Sequence, residues 1–295
     1  MKEFAVAPTL PVAVNEPGTG SFWSGTREVW EHRAVVMELV RRDLKVRYKN
    51  SVGGIAWSLL NPLMQILVLT LMLKYIVGNG IKNGSAYLFI LFLWNFIVNT
   101  LSDSCVALIG NAQLVRKTYF PRAVLPLTVL VSNIFHFAIS FAFTLVYFFV
   151  LGTYPHQIRP ELLLVIPVFF FTCLGCLGGG LILAYLNTFY EDVRFVTGAV
   201  LQLMFYALPV LYTVEQVKSR GLLNVYLLNP AAALITTYQR ALLPPPIVRD
   251  GAGKPLPSVG IPWAHFGLAC VFCTVLFFVG LSLFERYKWE AVERL

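Results

Sequence analysis

Long apolar runs constrain this chain more than any other feature. Ile55 to Val77 and Ala123 to Leu151 each exceed the roughly 20 residues that an α-helix needs to cross a hydrocarbon core of about 30 Å at about 1.5 Å per residue. A soluble domain does not need helices of that kind. The balance of the 295 residues agrees: 57% are hydrophobic, 13% are charged, and the mean hydropathy is +0.70. The expectation is an all-α, polytopic membrane protein. The net charge of +8 does not point to nucleic acid, because the basic residues gather beside apolar segments, above all between Arg27 and Lys49, rather than over a domain surface.

Residues 1–21 carry Pro8, Pro11 and Pro17 with Gly18 and Gly20, and read as a flexible cytosolic tail without a secretory signal pattern. Residues 22–50 are patterned as an amphipathic interfacial helix. Trp30, Ala34, Met37, Leu44 and Tyr48 fall on one face, while Glu31, Glu38, Arg42 and Lys45 fall on another. Long basic side chains such as Arg33 and Arg41 can snorkel at a headgroup boundary. Residues 51–295 are then expected to form a six-helix transmembrane domain. Its expected spans are Val52–Val77, Ser85–Gly110, Ala123–Leu151, Glu161–Thr188, Phe195–Val214 and Ile261–Phe284.

An even number of spans returns the chain to its starting side. The N-terminal helix, Arg116-Lys117-Arg122, Arg194 and the Arg286-Lys288-Arg294 tail all fall on that side, which is therefore cytosolic. Both termini are expected there. The opposite side carries the outer segment 215–260. Within it Leu222–Leu243 is apolar, yet it is broken by Asn229-Pro230 and carries Arg240. Re-entrant or interfacial helices fit that pattern better than a simple span.

The chain contains no G-x-x-x-x-G-K-[ST] loop; residues 78–85 have the glycines without the lysine. ATP hydrolysis would therefore need a separate subunit, and the short basic segment Asn111–Arg122 is the best place to dock one. Glu191-Asp192-Val193-Arg194 reads equally well as a solvated turn with an ion pair or as a second docking contact. The pairs Cys173/Cys176 and Cys270/Cys273 lie within apolar spans, where packing outweighs a metal site. Gly175 and Gly179 allow close helix approach, within one subunit or between two. Asn133 and His136 suggest a hydrogen-bonded pair inside the bundle, and a proton relay is disfavoured because their span holds no carboxylate. Trp57, Asn61 and Gln65 are one turn apart, and Gln202, Phe205, Tyr206 and Tyr212 include several on one face. Aromatic faces interleaved with amides suit sugars, although ordinary packing takes most of the weight.

Arg42-Asp-Leu-Lys-Val-Arg-Tyr-Lys-Asn-Ser51 followed by Gly53-Gly-Ile-Ala-Trp-Ser-Leu-Leu-Asn-Pro62 resembles the opening segment of the permeases of polysaccharide-exporting ABC transporters, the O-antigen and teichoic-acid group. Phe120-Pro-Arg-Ala-Val-Leu-Pro126, Leu186-Asn-Thr-Phe-Tyr-Glu-Asp-Val-Arg194 and Leu228-Asn-Pro-Ala-Ala-Ala-Leu-Ile235 with Tyr238, Arg240 and Leu242 are similar to later motifs of that group, in its order. The chain departs from the group's pattern at Glu191, where an arginine often precedes the aspartate.

The resemblance implies a homodimer of permeases with two nucleotide-binding ATPase subunits, which carry the ATP and Mg. This chain itself would hold no cofactor, no metal and no catalytic residue. It further implies ATPase coupling through Asn111, Gln113, Arg116, Lys117 and Tyr119, with Glu191, Asp192 and Arg194 as a second contact. Arg41, Arg42, Lys45, Arg47 and Lys49 would meet membrane-lipid headgroups or the diphosphate of a lipid-linked glycan. Trp57, Asn61, Phe205, Tyr206 and Tyr212 would line the pore, and the outer segment would gate its mouth. The expected function is export of lipid-linked polysaccharide. The alternatives are a small-molecule ABC exporter permease and a membrane-embedded transferase acting on polyprenyl-linked sugars. The transferase would need acids or bases placed together, and the acidic residues near the spans divide between the two sides.

Overall fold

The computed structural model describes residues 30–48, 86–117, 121–150, 159–209, 212–243 and 255–294, with isolated positions at 60, 64, 67, 68, 71, 245 and 248. The N-terminal tail, most of the expected first span with Trp57 and Asn61, and also Lys49 and Tyr119, lie outside the described residues. The described part is helical: α1 (Arg33–Tyr48), α2 (Ala86–Gly110), α3 (Ala112–Lys117), α4 (Val124–Val150), α5 (Val165–Phe189), α6 (Asp192–Ala207), α7 (Val214–Ser219), α8 (Leu223–Leu227), α9 (Pro230–Leu242) and α10 (Trp263–Arg294). A 3-10 turn, Pro160–Leu164, leads into α5.

Four described segments are long and apolar enough to cross a membrane: Ile90–Gly110, Val124–Phe143, Pro160–Phe189 and Trp263–Tyr287. Helix α6 is shorter than the expected Phe195–Val214 span. It stops at Ala207 because Leu208 is extended, with φ −100° and ψ 157°, as the ring of Pro209 requires of the residue before it.

Helix α5 is the hub, packing on α10, α2 and α4. Its glycines set the distances. A Cβ on Gly178 would come within 2.6 Å of the backbone of Phe277, and one on Gly280 would strike the backbone of Gly178. The two helices therefore touch main chain to main chain. Gly175 faces the Cys273 sulfur and Gly180 faces the Ser104 hydroxyl, both at 2.8 Å from where a Cβ would stand. The small residues of α5 thus serve packing inside one chain, since apolar lipid leaves close contact as the main force between spans. Phe96, Phe137 and Phe169 join α2, α4 and α5, with ring centroids 4.5 to 5.6 Å apart.

The outer segment folds differently from an interfacial pair. Asn229 caps α9 by accepting from the amide of Ala231 at 3.0 Å, and Pro230 starts the helix where a missing N–H costs nothing. From Ala232 to Leu242 every residue of α9 is buried. A helix lying on a membrane surface would leave one face open, so the interfacial alternative for this stretch is replaced by a helix inside the bundle, against α10, α2, α5 and the 3-10 turn.

Helix α1 packs on α4 through Val36, Leu39 and Val40, which share a buried cluster with Leu108, Val115, Val124, Leu181 and Phe284. Trp30 and Met37 remain exposed, at 72% and 43%. The helix thus has two apolar faces. Of the face expected from the sequence, Ala34 and Met37 are open, whereas Leu44 packs against the docked cluster.

Candidate functional site

At one end of the bundle, α1, the α2–α3 corner and the ends of α5 and α10 come together. Arg42 donates to the Asn111 side chain at 2.8 Å and also pairs with Asp43 at 2.9 Å. The Asn111 amide is itself anchored by donating to the Ala107 carbonyl at 2.9 Å. This corner begins α3, where Val115 is buried while Gln113, Arg116 and Lys117 point outward. The segment expected to meet an ATPase is therefore pinned at its start to α1 and offers two cations at its end.

Five residues further along α1, Arg47 reaches deeper. It pairs with Asp103 of α2 at 3.0 Å and donates to Asn133 of α4 at 3.4 Å. Asn133 in turn donates to the same Asp103 oxygen at 3.3 Å. Asp103 is seven residues before the end of α2, about 10 Å along the axis. Arg41, by contrast, pairs with Glu38 at 2.7 Å on the exposed face, and Lys45 is exposed. The five basic residues taken together in the sequence thus divide: Arg42 and Arg47 tie α1 to its neighbours, Arg41 and Lys45 face outward, and Lys49 is outside the described residues.

Asp103 is the member of this group that the sequence reading left without a role. A carboxylate inside an apolar run is a signal in itself, and the reading of Asn133 and His136 looked for an acid only in their own span. The acid comes instead from the neighbouring helix.

Glu191, Asp192 and Arg194 are exposed at the turn between α5 and α6. The Arg194 guanidinium lies over the Phe195 ring, 4.7 Å from its centroid. Nearby, Arg294 lies over Phe189 at 4.8 Å and Tyr287 stacks on Tyr185 at 5.2 Å, so the last turns of α10 are held against the end of α5. Both docking candidates, α3 and the α5–α6 turn, present exposed charge.

Of the residues expected along the pore, Phe205 and Tyr206 sit on α6, and their rings make an edge contact at 5.5 Å. Phe205 packs against the core, and Tyr206 is 57% exposed. Tyr212 meets Tyr226 edge-on at 6.0 Å. Helix α6 is bare over much of its length: Phe195, Val196, Val200, Leu203 and Tyr206 are all exposed, while Thr197 and Leu201 face the bundle.

At the opposite end, Glu215 of α7 and Arg240 of α9 form an ion pair with both side chains buried, and the amide of Val259 donates to the same Glu215 oxygen at 3.4 Å. Lys218 donates to the Ser258 carbonyl at 3.0 Å. One turn of α7 thus grips both α9 and the stretch that leads into α10. Cys176 and Cys273 are buried at the α5–α10 seam. No three His, Cys, Asp or Glu side chains converge as metal ligands among the described residues.

Residues 34–243 match the ABC-2 type transporter family. Among curated relatives, the O-antigen export system permease protein RfbA of Myxococcus xanthus is 30% identical over 217 residues, covering 72% of this chain and 82% of the relative. Two O-antigen export system permeases RfbA of Klebsiella pneumoniae are 27% and 28% identical over 266 and 265 residues, each covering 88% of this chain and 95% of the relative. The family match takes in the helices of these sites from α1 to α9, while Val259 and α10 lie beyond it. The chain belongs to the ABC-2 type transporter family, as a membrane-embedded transport component.

Proposed function

We propose that this chain is the transmembrane permease of an ATP-driven exporter that moves lipid-linked polysaccharide of the O-antigen type across the bacterial cytoplasmic membrane. One observation carries the reading: the similarity to O-antigen export permeases extends over 88% of this chain and 95% of two such relatives. Two copies would pair, with six spans each, and the bare apolar face of α6 supports such pairing because a helix with so much exposed apolar surface needs lipid or a partner over it. Two ATPase subunits holding ATP and Mg would dock on α3 and the α5–α6 turn, with Arg116, Lys117, Glu191, Asp192 and Arg194 as contacts. Both termini would be cytosolic. Trp57, Asn61, Phe205, Tyr206 and Tyr212 would line the path at the two-fold interface. Segment 215–260, with the buried α9 as a re-entrant helix, would close its outer mouth. Teichoic-acid-like polymers share the lipid diphosphate and are the nearest alternative cargo.

The test is co-expression with candidate ATPase subunits, purification in detergent, and ATP hydrolysis with and without a lipid-linked glycan. A stable complex whose hydrolysis responds to the glycan, and which is lost when Arg116 and Lys117 are replaced, supports the reading. A chain that recruits no ATPase and instead converts a polyprenyl-linked sugar overturns it in favour of the transferase.

A further inference from the structure

Three stretches of the outer segment meet at one ionic joint. Glu215 stands in the first turn of α7, Arg240 in the last turn of α9, and Val259 shortly before α10. Their sequence neighbours Val214, Leu242 and Leu243 are buried apolar side chains, so charge occupies a place where packing would serve. One carboxylate oxygen, Oε1, accepts from both the Arg240 guanidinium and the Val259 amide. The other, Oε2, is buried and has no hydrogen-bond partner among the described residues.

A buried ion pair adds stability only where its geometry is ideal and its remaining lone pairs are bonded; otherwise apolar side chains of similar volume hold a joint at least as well. With Oε2 unbonded, this pair falls short of that condition. What such a pair offers instead is easy parting. When the joint opens, water solvates both charges and offsets the lost contact, whereas an apolar joint gains nothing from water on opening. The pair also restores one register on closing, because Oε1 must meet both donors.

The two sides of the joint are held unequally. Helix α9 is packed against α10, α2, α5 and the 3-10 turn, whereas the main helical neighbour of α7 is α8. Gly221, at φ 74°, makes the turn between α7 and α8, and the Leu222 amide bonds back to the Val217 carbonyl at 3.3 Å. The two short helices therefore form one piece. Leu222, Val225 and Leu228 leave one side of that piece bare. Besides the ion pair, α7 is tied to the lead into α10 by the exposed contact of Lys218 with the Ser258 carbonyl.

We propose that Glu215–Arg240 is a hydratable latch: it fastens the α7–α8 piece to a fixed α9, and it parts and re-forms as that piece swings away and returns. The latch rests on the exporter reading for its purpose, since the outer segment must then let a polymer pass and reseal behind it. Glu215 and Arg240 act here as positioning residues.

The test uses Val214→Cys, at a side chain 1% exposed beside Glu215, in the full-length permease in detergent. Its reaction with a water-soluble maleimide is followed by peptide mass spectrometry. Adding Glu215→Leu with Arg240→Met should slow the reaction about tenfold, and adding Glu215→Gln, which removes the counter-charge and keeps the shape, should quicken it about tenfold. A permanent brace predicts quickening in both backgrounds. That result, or an unchanged rate in either, overturns the latch.

A second measurement needs neither added change. Local parting exposes little surface, so the reaction of Val214→Cys with Glu215 and Arg240 intact should hardly vary with low urea concentrations. A rate that climbs with urea as steeply as global unfolding overturns the latch, even where the double replacement does not assemble. In the complex with the ATPase, Glu215→Leu with Arg240→Met should keep ATP hydrolysis and lose about tenfold in export rate, and undiminished export also counts against the latch. Absence of export by the wild-type complex overturns the exporter reading instead, while the labelling still judges the latch.

Discussion

The Glu215 carboxylate meets the Arg240 guanidinium at 2.5 Å, with the two side chains 0% and 2% exposed. Twenty-five residues apart in sequence, they join the first turn of α7 to the last turn of α9, and the Val259 amide completes the contact. Removing one partner takes the counter-charge away from the other inside a buried site. Glu215→Ala or Arg240→Ala should therefore cost about 3–5 kcal/mol, while the double replacement Glu215→Leu with Arg240→Met should cost far less. Thermal unfolding of the three variants in one detergent measures the difference, and equal losses in all three would refute this account of the pair.

The contact between α5 and α10 makes a second prediction. Gly280→Ala places a methyl group against the Gly178 backbone, where neither helix has a side chain to move aside, and should destabilise by about 1–3 kcal/mol through overpacking. Gly267→Ala, on the same helix with nothing within 4 Å of its added Cβ, should be neutral or slightly stabilising, because alanine favours helix. Unfolding midpoints of the two variants, measured side by side, check the contrast.

Much of this was legible in the sequence, for identifiable reasons. The spans that became α2, α4, α5 and α10 announced themselves by length and hydropathy; the ends of the first three fell within a few residues of expectation, while α10 continues past the expected Phe284 to Arg294. The end of α6 was marked by Pro209 but was passed over, since the apolar run continues through it. The burial of α9 was not visible, because periodicity reports how many apolar faces a segment has and not what covers them. Arg240 within an apolar stretch was read only as an argument against a simple span, and its counter-charge was not sought. Glu215 and Arg240 both belong to the expected outer segment, yet pairing the two required a fold to bring residues 25 apart together. The same holds for Arg47 with Asp103 and Asn133, which are contributed by three helices.

The link between Arg42 and Asn111 should matter for coupling more than for stability. The pair is exposed, so Asn111→Ala should change the unfolding free energy by no more than about 1 kcal/mol. In the assembled exporter, the same variant should keep ATP hydrolysis while export falls, because α3 could then move without carrying α1. Parallel assays of hydrolysis and transport in vesicles test this, and proportional loss of both activities would count against it.

Burial pushes the Tyr238 hydroxyl above the ordinary tyrosine range. The sign follows from linkage: the folded state keeps the proton where the unfolded chain, with its pKa near about 10, gives it up. The stability contributed is whole below that pH and declines as pH rises through it toward the folded value. Tyr238→Phe should flatten the alkaline decline in unfolding temperature between about pH 9 and 11, and an unaltered pH profile would show that Tyr238 does not set it.

The meeting of Gly178 and Gly280 has a mechanical consequence. Where two spans touch through side chains, rotamers can yield and a push at one end dissipates along the seam; where they touch through main chain, there is no such compliance. Arg294 and Tyr287 fasten the far turns of α10 to Phe189 and Tyr185, so the paired helices form a stiff strut from the basic end of the bundle toward the outer segment. A displacement imposed beside the α5–α6 turn would then reach the floor of α9 as a tilt of the whole strut, with little lost on the way.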